Sequence, residues 1–211
     1  PWGISHASTF FDMTRDAGFF LPATDLVSKG LELRGNVWFS LQNAKAEYLP
    51  LFEAKMLHLY DHRWSSSQDN EDEVASADFL KSDPHYEAMP RFWVSAEEIK
   101  TRLQKQGWKR DWLLGMRKIT NATNERTIIA TVFSVGAVGN SEHILFPDTN
   151  LAVGKIAYFV GAASSLVLDY AARQKLGGTN LNFFYLEQLP FPAPDQVSEA
   201  ALAFIIPRVL E

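Results

Sequence analysis

The feature that most constrains this sequence is an apolar run of 13 residues, 156–168, which lies between Lys155 and Asp169. A membrane-spanning helix needs about 20 apolar residues, so this run is too short to cross a bilayer. It therefore predicts a helix that other elements of a globular fold must bury. We expect a long helix over residues 150–176, which ends before Gly177.

The composition agrees with a globular fold and excludes several other classes of protein. Hydrophobic residues make up 46% of the 211 residues and charged residues 21%, so the chain can bury a sizeable core. The sequence has no cysteine, which excludes disulfide frameworks and thiolate-bound zinc. We therefore expect a cytoplasmic protein with no membrane partner.

Local patterns predict short elements around the long helix. Ser95 and Glu98 have capping-box spacing, which predicts a helix with Ile99 and Leu103 on its buried face and an end at Gly107. A helical turn running into a strand is expected over 51–64. A short helix with Thr24 as its N-cap is expected over 24–29, and strands are expected over 36–41, 112–119, 127–135 and 181–189.

These elements alternate without a regular β-α-β rhythm, which favours the α+β class. We predict mixed sheets with a long C-terminal helix and shorter flanking helices. The chain starts without methionine and stops within an apolar, helix-like pattern. We therefore expect a piece of a longer protein, in which residues 195–211 begin a truncated helical segment.

Charge is distributed unevenly along the chain. The formal net charge is −5, so a claim of nucleic-acid binding has to rest on a local patch. Residues 65–87 contain seven acids and one lysine, a local charge of −6, and predict a solvated acidic loop. Residues 99–126 contain eight basic and two acidic side chains, a local charge of +6, with Trp108 and Trp112 among them.

Three other patterns suggest different chemistry, each from few residues. His58 and His62 have the spacing of a zinc-binding pair on a helix, but the HExxH pattern is absent. Glu53 and Lys55 have the E-x-K spacing of one class of Mg²⁺-dependent nuclease. The glycines of 135–140 lack the G-x-G-x-x-G spacing of a phosphate-binding loop, and we interpret them as a tight turn.

An ordered set of motifs resembles the region that follows the catalytic domain in type IIG-like restriction–modification proteins, which contain adenine-N6 DNA methyltransferases. The motifs run through nearly the whole chain. They are WGI (2–4), FDMT (11–14), YLPLFEAKM (48–56), YDHR (60–63), RDWLLG (110–115), ITNATNERT (119–127), DYAARQKLGG (169–178), NFF (182–184) and QLP (188–190).

The resemblance implies a target recognition domain over 1–211, which reads a short double-stranded DNA sequence while a methyltransferase domain of the same parent chain modifies adenine. It implies a lead-in over 1–50 and a recognition core over 51–194 that includes the acidic loop. The family's Asn/Asp-Pro-Pro-aromatic tetrapeptide and its F-x-G-x-G loop are absent, so we expect no catalysis by this chain alone. S-adenosylmethionine is expected in the parent's catalytic domain and no cofactor in this fragment. Ala54 stands where the family has glycine.

Polar side chains within these motifs are the candidate DNA contacts. Arginine reads guanine, asparagine reads adenine and lysine neutralises phosphate. Arg126 and Arg173 fit a structural role equally well, in which they hold helix or turn carbonyls. We expect a first DNA-facing group of Arg117, Lys118, Asn121, Asn124 and Arg126, a second of Arg173, Lys175 and Asn180, and a third of His62 and Arg63.

Two alternatives to DNA recognition remain open. The chain fits a structural or protein-interaction domain, whose basic segment binds the acidic loop or a partner subunit. It also fits a Mg²⁺-dependent nuclease that uses Glu53 and Lys55.

Overall fold

The computed structural model describes residues 2–42, 45–67 and 82–210, and within them the chain forms nine strands and six α-helices. The acidic residues from Asp69 to Asp78 of the predicted loop lie outside the described residues. The strands are β1 Ile4–Ala7, β2 Leu31–Arg34, β3 Val37–Ser40, β4 Ala46–Phe52, β5 Trp93–Ser95, β6 Trp112–Arg117, β7 Ala130–Ser134, β8 Ala137–Val138 and β9 Glu142–Pro147. The helices are α1 Ala23–Ser28, α2 Ala96–Lys105, α3 Val153–Ala163, α4 Leu166–Lys175, α5 Phe183–Leu186 and α6 Glu199–Leu210.

The strands form two sheets. The first has the order β1-β9-β6-β7, and each neighbouring pair is antiparallel. The second has the order β2-β3-β4-β5, also antiparallel, and β8 runs parallel to the end of β4. The described elements combine sheets and helices, as the predicted α+β class requires.

The first sheet is the central layer of the fold. Successive residues of a strand point to opposite faces, so each strand supplies side chains to two cores. Leu113 of β6 packs with Phe52 and Phe133 on the face toward the second sheet. Leu114 and Met116 pack with the helices on the other face. Both faces of the sheet therefore contribute to a buried core, and its ends carry the exposed loops.

Several predicted elements are confirmed. The strands expected over 36–41, 112–119 and 127–135 correspond to β3, β6 and β7. The helix expected over 24–29 corresponds to α1, but Thr24 is not its N-cap, because the helix begins at Ala23 and Pro22 occupies the N-cap position. α2 begins at the expected residue, with Ile99 and Leu103 buried on one face. The predicted capping box is absent, because the Ser95 side chain caps no amide and Glu98 accepts from Arg102 instead.

The predicted long helix over 150–176 is wrong, because the structure has two helices, α3 and α4. The chain breaks at Ser164 and Ser165, and the Ser165 hydroxyl accepts a hydrogen bond from the Leu168 amide at 3.2 Å. Ser165 is thus the N-cap of a new helix. Among the described helices, none has the length and apolar character needed to cross a membrane.

Two further predictions about local structure are corrected. The segment 51–64 begins with the end of β4, continues through a short 3₁₀ helix, Ala54–Met56, and contains no second strand. The expected strand over 181–189 is instead the short helix α5, which packs against the helical core. A run of apolar residues shorter than about ten fits either element, and tertiary packing decides between them.

The two glycines near 135–140 have different roles. Gly139 begins a turn, as predicted, in which the Glu142 amide donates to Gly139 O at 3.4 Å. Gly136 instead lies at a close approach between backbones. A Cβ atom on Gly136 would lie 2.8 Å from the carbonyl oxygen of Pro50, next to the parallel pairing of β8 with β4. Gly136 therefore allows β4 to pack closely at this position, since only glycine leaves room for the neighbouring strand.

Candidate nucleic-acid interface

The first two predicted groups of DNA contacts meet at one end of the first sheet. The loop that follows β6 lies against the segment that follows α4. The Thr120 amide donates to Thr179 O at 3.1 Å, and the Leu181 amide donates to Lys118 O at 2.8 Å. Ile119 and Asn180 form an isolated antiparallel bridge between these contacts. We call the surface formed by residues 118–126 and 174–181 the sheet-end surface.

An Asx turn shapes the outer part of this surface. The Asn121 Oδ1 atom accepts hydrogen bonds from the Thr123 amide at 2.7 Å and the Asn124 amide at 3.0 Å. The Asn124 side-chain amide donates to Thr120 Oγ1 at 3.3 Å. Asn121 therefore uses its oxygen to fold the turn, as Asx residues commonly do, and Asn124 is held on the exposed side of that turn.

Asp169 holds the return of the loop against α4. Its Oδ1 atom accepts hydrogen bonds from the Thr127 amide at 2.7 Å and the Ile128 amide at 2.8 Å. Its Oδ2 atom accepts from Arg173 Nε at 2.8 Å, one helical turn further along α4. The Asp169 side chain is only 4% exposed, so these contacts satisfy a buried carboxylate.

Two arginines extend this contact to backbone carbonyls. Arg173 donates to the carbonyl oxygens of Ala122, within the Asx turn, and of Glu125, just after it. Arg126 donates to the carbonyl oxygen of Ser164 at the break between α3 and α4. The guanidinium groups of Arg126 and Arg173 thus hold the loop and the helix ends, which is the structural role that the sequence left open for both.

Hydrogen bonding controls the ionisation of Asp169. Burial alone would raise the pKa of its carboxyl group, because a buried charge loses solvation. The bonds from the Ile128 amide, Arg173 and the Thr127 amide, with the charge of Arg126, outweigh burial and lower this pKa. Asp169 is therefore a charged anchor at neutral pH.

Arg117 joins the same end of the sheet to the 3₁₀ helix that follows β4. Its Nη2 atom donates to Ala54 O at 2.7 Å and to Leu57 O at 2.6 Å. Glu142 faces Arg117 across the β6–β9 pair and is 1% exposed. Burial raises the pKa of Glu142 to about 8, although the charge of Arg117 acts in the opposite direction.

The third predicted group lies in the turn after this 3₁₀ helix. The His58 amide donates to Asp61 O at 2.7 Å, and Tyr60 has a left-handed φ of +59°. His58 and His62 are therefore not on one helix face, which contradicts the predicted spacing of a zinc pair. His62 is half-buried, and Arg63 donates to the Tyr86 carbonyl at 3.0 Å. Arg117, at the end of β6, contacts the carbonyl of Leu57 just before this turn.

Four of the predicted side chains present polar groups toward solvent at the sheet-end surface. Asn124, Lys175 and Asn180 are exposed, and Lys118 is half-buried. Lys175 makes one long hydrogen bond, 3.3 Å, to Gln188 Oε1. For the part of the chain that the structure describes, the side chains of Lys118 and Asn180 have no hydrogen-bond partner. These four side chains can still bind a ligand.

The basic stretch 99–126 does not form one patch. β6 separates its two halves by about 17 Å, at roughly 3.3 Å per residue. Before β6, Arg102 pairs with Asp16 at 2.9 Å, and Arg110 donates to the Thr149 carbonyl at 3.2 Å. Only the half that follows Arg117 lies at the sheet-end surface.

The residues of the proposed nuclease motif are engaged in contacts with other side chains and backbone. Arg91 donates to both Glu53 oxygens at 2.9 and 2.8 Å, and Lys55 Nζ donates to Ser67 O at 3.0 Å. No group of three or more potential metal ligands occurs among residues 2–42, 45–67 and 82–210.

Three residues that support this surface were not predicted from the sequence. Asp169 stands at the end of the apolar run and in a family motif, and its i,i+4 spacing to Arg173 is a recognisable helix pair, but no structural role is predicted for it. Glu142 and His143 gave no local signal, because their partners lie on other elements. His143 Nε2 and Leu181 O are 2.8 Å apart, and burial lowers the pKa of this imidazole, so a neutral ring supports the 179–181 segment.

In comparisons with known proteins, no family model, no curated protein and no solved structure matches this chain.

Proposed function

We propose that this chain is a recognition module for a short double-stranded DNA sequence, which serves an adenine-N6 DNA methyltransferase of a restriction–modification system. Catalysis and S-adenosylmethionine binding belong, in this proposal, to a methyltransferase domain of the same parent chain. The observation that carries the proposal is the junction of two polar segments, 118–126 and 174–181, which lie far apart in sequence.

The chemistry of the exposed side chains fits duplex DNA. Lys118 and Lys175 supply positive charge for phosphates, which position a protein on the duplex without reading its sequence. Asn124 and Asn180 supply side-chain amides, and a bidentate amide is the usual partner of an adenine edge in the major groove. The surface thus holds both kinds of contact that sequence recognition requires.

The support beneath these side chains also favours recognition. Sequence discrimination requires polar groups that are held in place before DNA binds. Arg126 and Arg173 hold the loop through backbone carbonyls, and Asp169 holds both arginines and two loop amides. In this proposal the two arginines are part of the frame, and the lysines and asparagines contact DNA.

A protein-interaction role is the second candidate, and one observation favours it. Leu166, Val167 and Tyr170 of α4 are 74%, 78% and 66% exposed, respectively, and lie on one side of the helix. Apolar side chains that cluster on an exposed surface often mark a contact with another protein or domain. The methyltransferase domain of the parent chain is one partner that could cover them.

Fluorescence anisotropy with duplex DNA at several salt concentrations separates these candidates. DNA recognition predicts that log Kd rises steeply with log salt, by about 0.9 per phosphate contact. It also predicts that a subset of duplex sequences resists competition by bulk DNA. A protein-interaction domain predicts no binding at low salt. A Mg²⁺-dependent nick in plasmid DNA would instead favour the nuclease alternative.

A further inference from the structure

We propose that Asp169 is a positioning residue that sets DNA sequence specificity without touching DNA. This inference rests on the proposed function, and it assigns the control of specificity to a buried carboxylate beneath the sheet-end surface. Asp169 is 4% exposed and lies on α4, beneath the loop. It receives bonds from two loop amides and one arginine.

The contacts of Asp169 determine where the Asx turn lies. One carboxylate oxygen fixes the backbone at Thr127 and Ile128, where the loop returns to the sheet. The other oxygen orients Arg173, whose guanidinium holds the carbonyls of Ala122 and Glu125. The Asp169 side chain therefore holds both ends of the segment that carries Asn124, directly at Thr127 and Ile128 and through Arg173 at the turn.

Charge is essential to this arrangement. The Asp169 carboxylate lies 3.7 Å from Arg126 Nε and 2.8 Å from Arg173 Nε. A neutral amide at this position has one oxygen to accept hydrogen bonds, and its NH₂ group cannot accept from Arg173. Asp169→Asn is therefore expected to retain the bonds to the Thr127 and Ile128 amides and to release Arg173 from the turn.

The lysines that supply phosphate contacts do not depend on Asp169. Lys175 contacts Gln188, and Lys118 has no side-chain hydrogen bond among the described residues. Loss of the anchor should therefore change how bases are read and leave the electrostatic part of binding intact. A general loss of folding would reduce both the sequence discrimination and the electrostatic binding. A selective loss of discrimination can therefore be told apart from unfolding.

The test compares the wild-type chain with Asp169→Asn and Arg173→Met. Arg173→Met removes the link to the turn and leaves the Asp169 bonds to Thr127 and Ile128 in place. For each protein we would measure Kd for the preferred duplex and for an unrelated duplex, with the salt slope of each. We expect both variants to lose about 10- to 100-fold in the ratio of these constants, which is the value of one well-placed base contact. The salt slope and the Kd for the unrelated duplex should change less than twofold.

Amide hydrogen exchange gives a readout that needs no DNA. Both variants should speed exchange at the Thr123 and Asn124 amides, which the Asx turn protects, and leave exchange in the β6–β9 strands unchanged. If the wild-type protein prefers one duplex and the folded variants keep the same ratio of dissociation constants, this inference alone is overturned. A wild-type protein that binds every duplex equally would overturn both the inference and the proposed function.

Discussion

Arg117 and Glu142 face each other across the β6–β9 pair, yet they form no hydrogen bond to each other. The Arg117 guanidinium turns away to the carbonyls of Ala54 and Leu57. Both carboxyl oxygens of Glu142 lack a hydrogen-bond partner among the residues that the structure describes. A buried acid without such partners is costly to ionise, which is why its pKa is raised to about 8.

This ionisation predicts that the protein loses stability as the pH rises from 7 to 8. Glu142 has an ordinary pKa of 4.5 when unfolded, so the native state binds an extra proton in this range and unfolding releases it. The free energy of unfolding should therefore fall by about 1 kcal/mol between pH 7 and 8. His143, whose folded-state pKa burial lowers, acts weakly in the opposite direction, because its unfolded imidazole still binds a fraction of a proton near pH 7.

Urea unfolding of wild type and Glu142→Gln at pH 7 and pH 8 checks this expectation. The glutamine does not titrate, so the variant should show much less of the decrease and should be the more stable protein at pH 8. Equal pH dependence in the two proteins would show that the Glu142 side chain is not protonated in the native state.

Arg117→Met is expected to destabilise the fold by about 2 to 4 kcal/mol. The change removes two hydrogen bonds from a charged donor to Ala54 O and Leu57 O and leaves both carbonyls without that donor. Arg15→Met is the matched control. Because Arg15 is exposed, this change should alter the free energy of unfolding by no more than about 0.5 kcal/mol. A variant as stable as this control would mean that the contacts of Arg117 contribute little.

The sequence predicted the central part of the fold better than its connections. β6 and β7 could be predicted because apolar residues and a polar link mark them locally. The break at Ser164 could not, since the apolar run continues through two serines and the cap at Ser165 forms only in three dimensions. The sequence around α5 predicts a strand instead, because four consecutive apolar residues fit the repeat of a helix and the repeat of a strand equally well.

Gly136→Ala tests the close approach between β8 and β4. The new Cβ would lie 2.7 Å from Phe52 Cε2 and 2.8 Å from Pro50 O, so the strands would have to separate. We expect a loss of about 1 to 3 kcal/mol in the free energy of unfolding. Gly18→Ala is the control, because no atom lies within 4 Å of its added Cβ. Similar urea midpoints for the two variants would contradict the assigned role of Gly136.

Charge removal at the sheet-end surface should reduce the salt dependence of DNA binding. Lys118→Gln and Lys175→Gln should each lower the slope of log Kd against log salt by about 0.9, if each lysine neutralises one phosphate. Lys29→Gln is the control, since Lys29 is exposed at the end of α1, remote in sequence from this surface. If the slopes of both variants match the slope of the control, neither lysine contacts a phosphate.

The residues of the candidate site could be predicted from the sequence, but their arrangement in space could not. Lys118, Asn124, Lys175 and Asn180 were chosen from composition and motif, and the structure brings them to one surface. The roles of Arg126 and Arg173 depend on which carbonyls they reach. Those contacts span about 40 to 50 residues of sequence, so no local pattern reveals them.

The most direct test of the central claim is selection of bound sequences from a pool of randomised duplexes, followed by sequencing. We expect the wild-type chain to enrich one short motif. Asn180→Ala should relax the preference at one position of that motif with an unchanged salt slope, because its amide is proposed to read a base. Asn150→Ala, which alters an exposed residue beyond the opposite end of β9, should leave the motif unchanged. Binding without any enriched motif would contradict the claim that this chain recognises a DNA sequence.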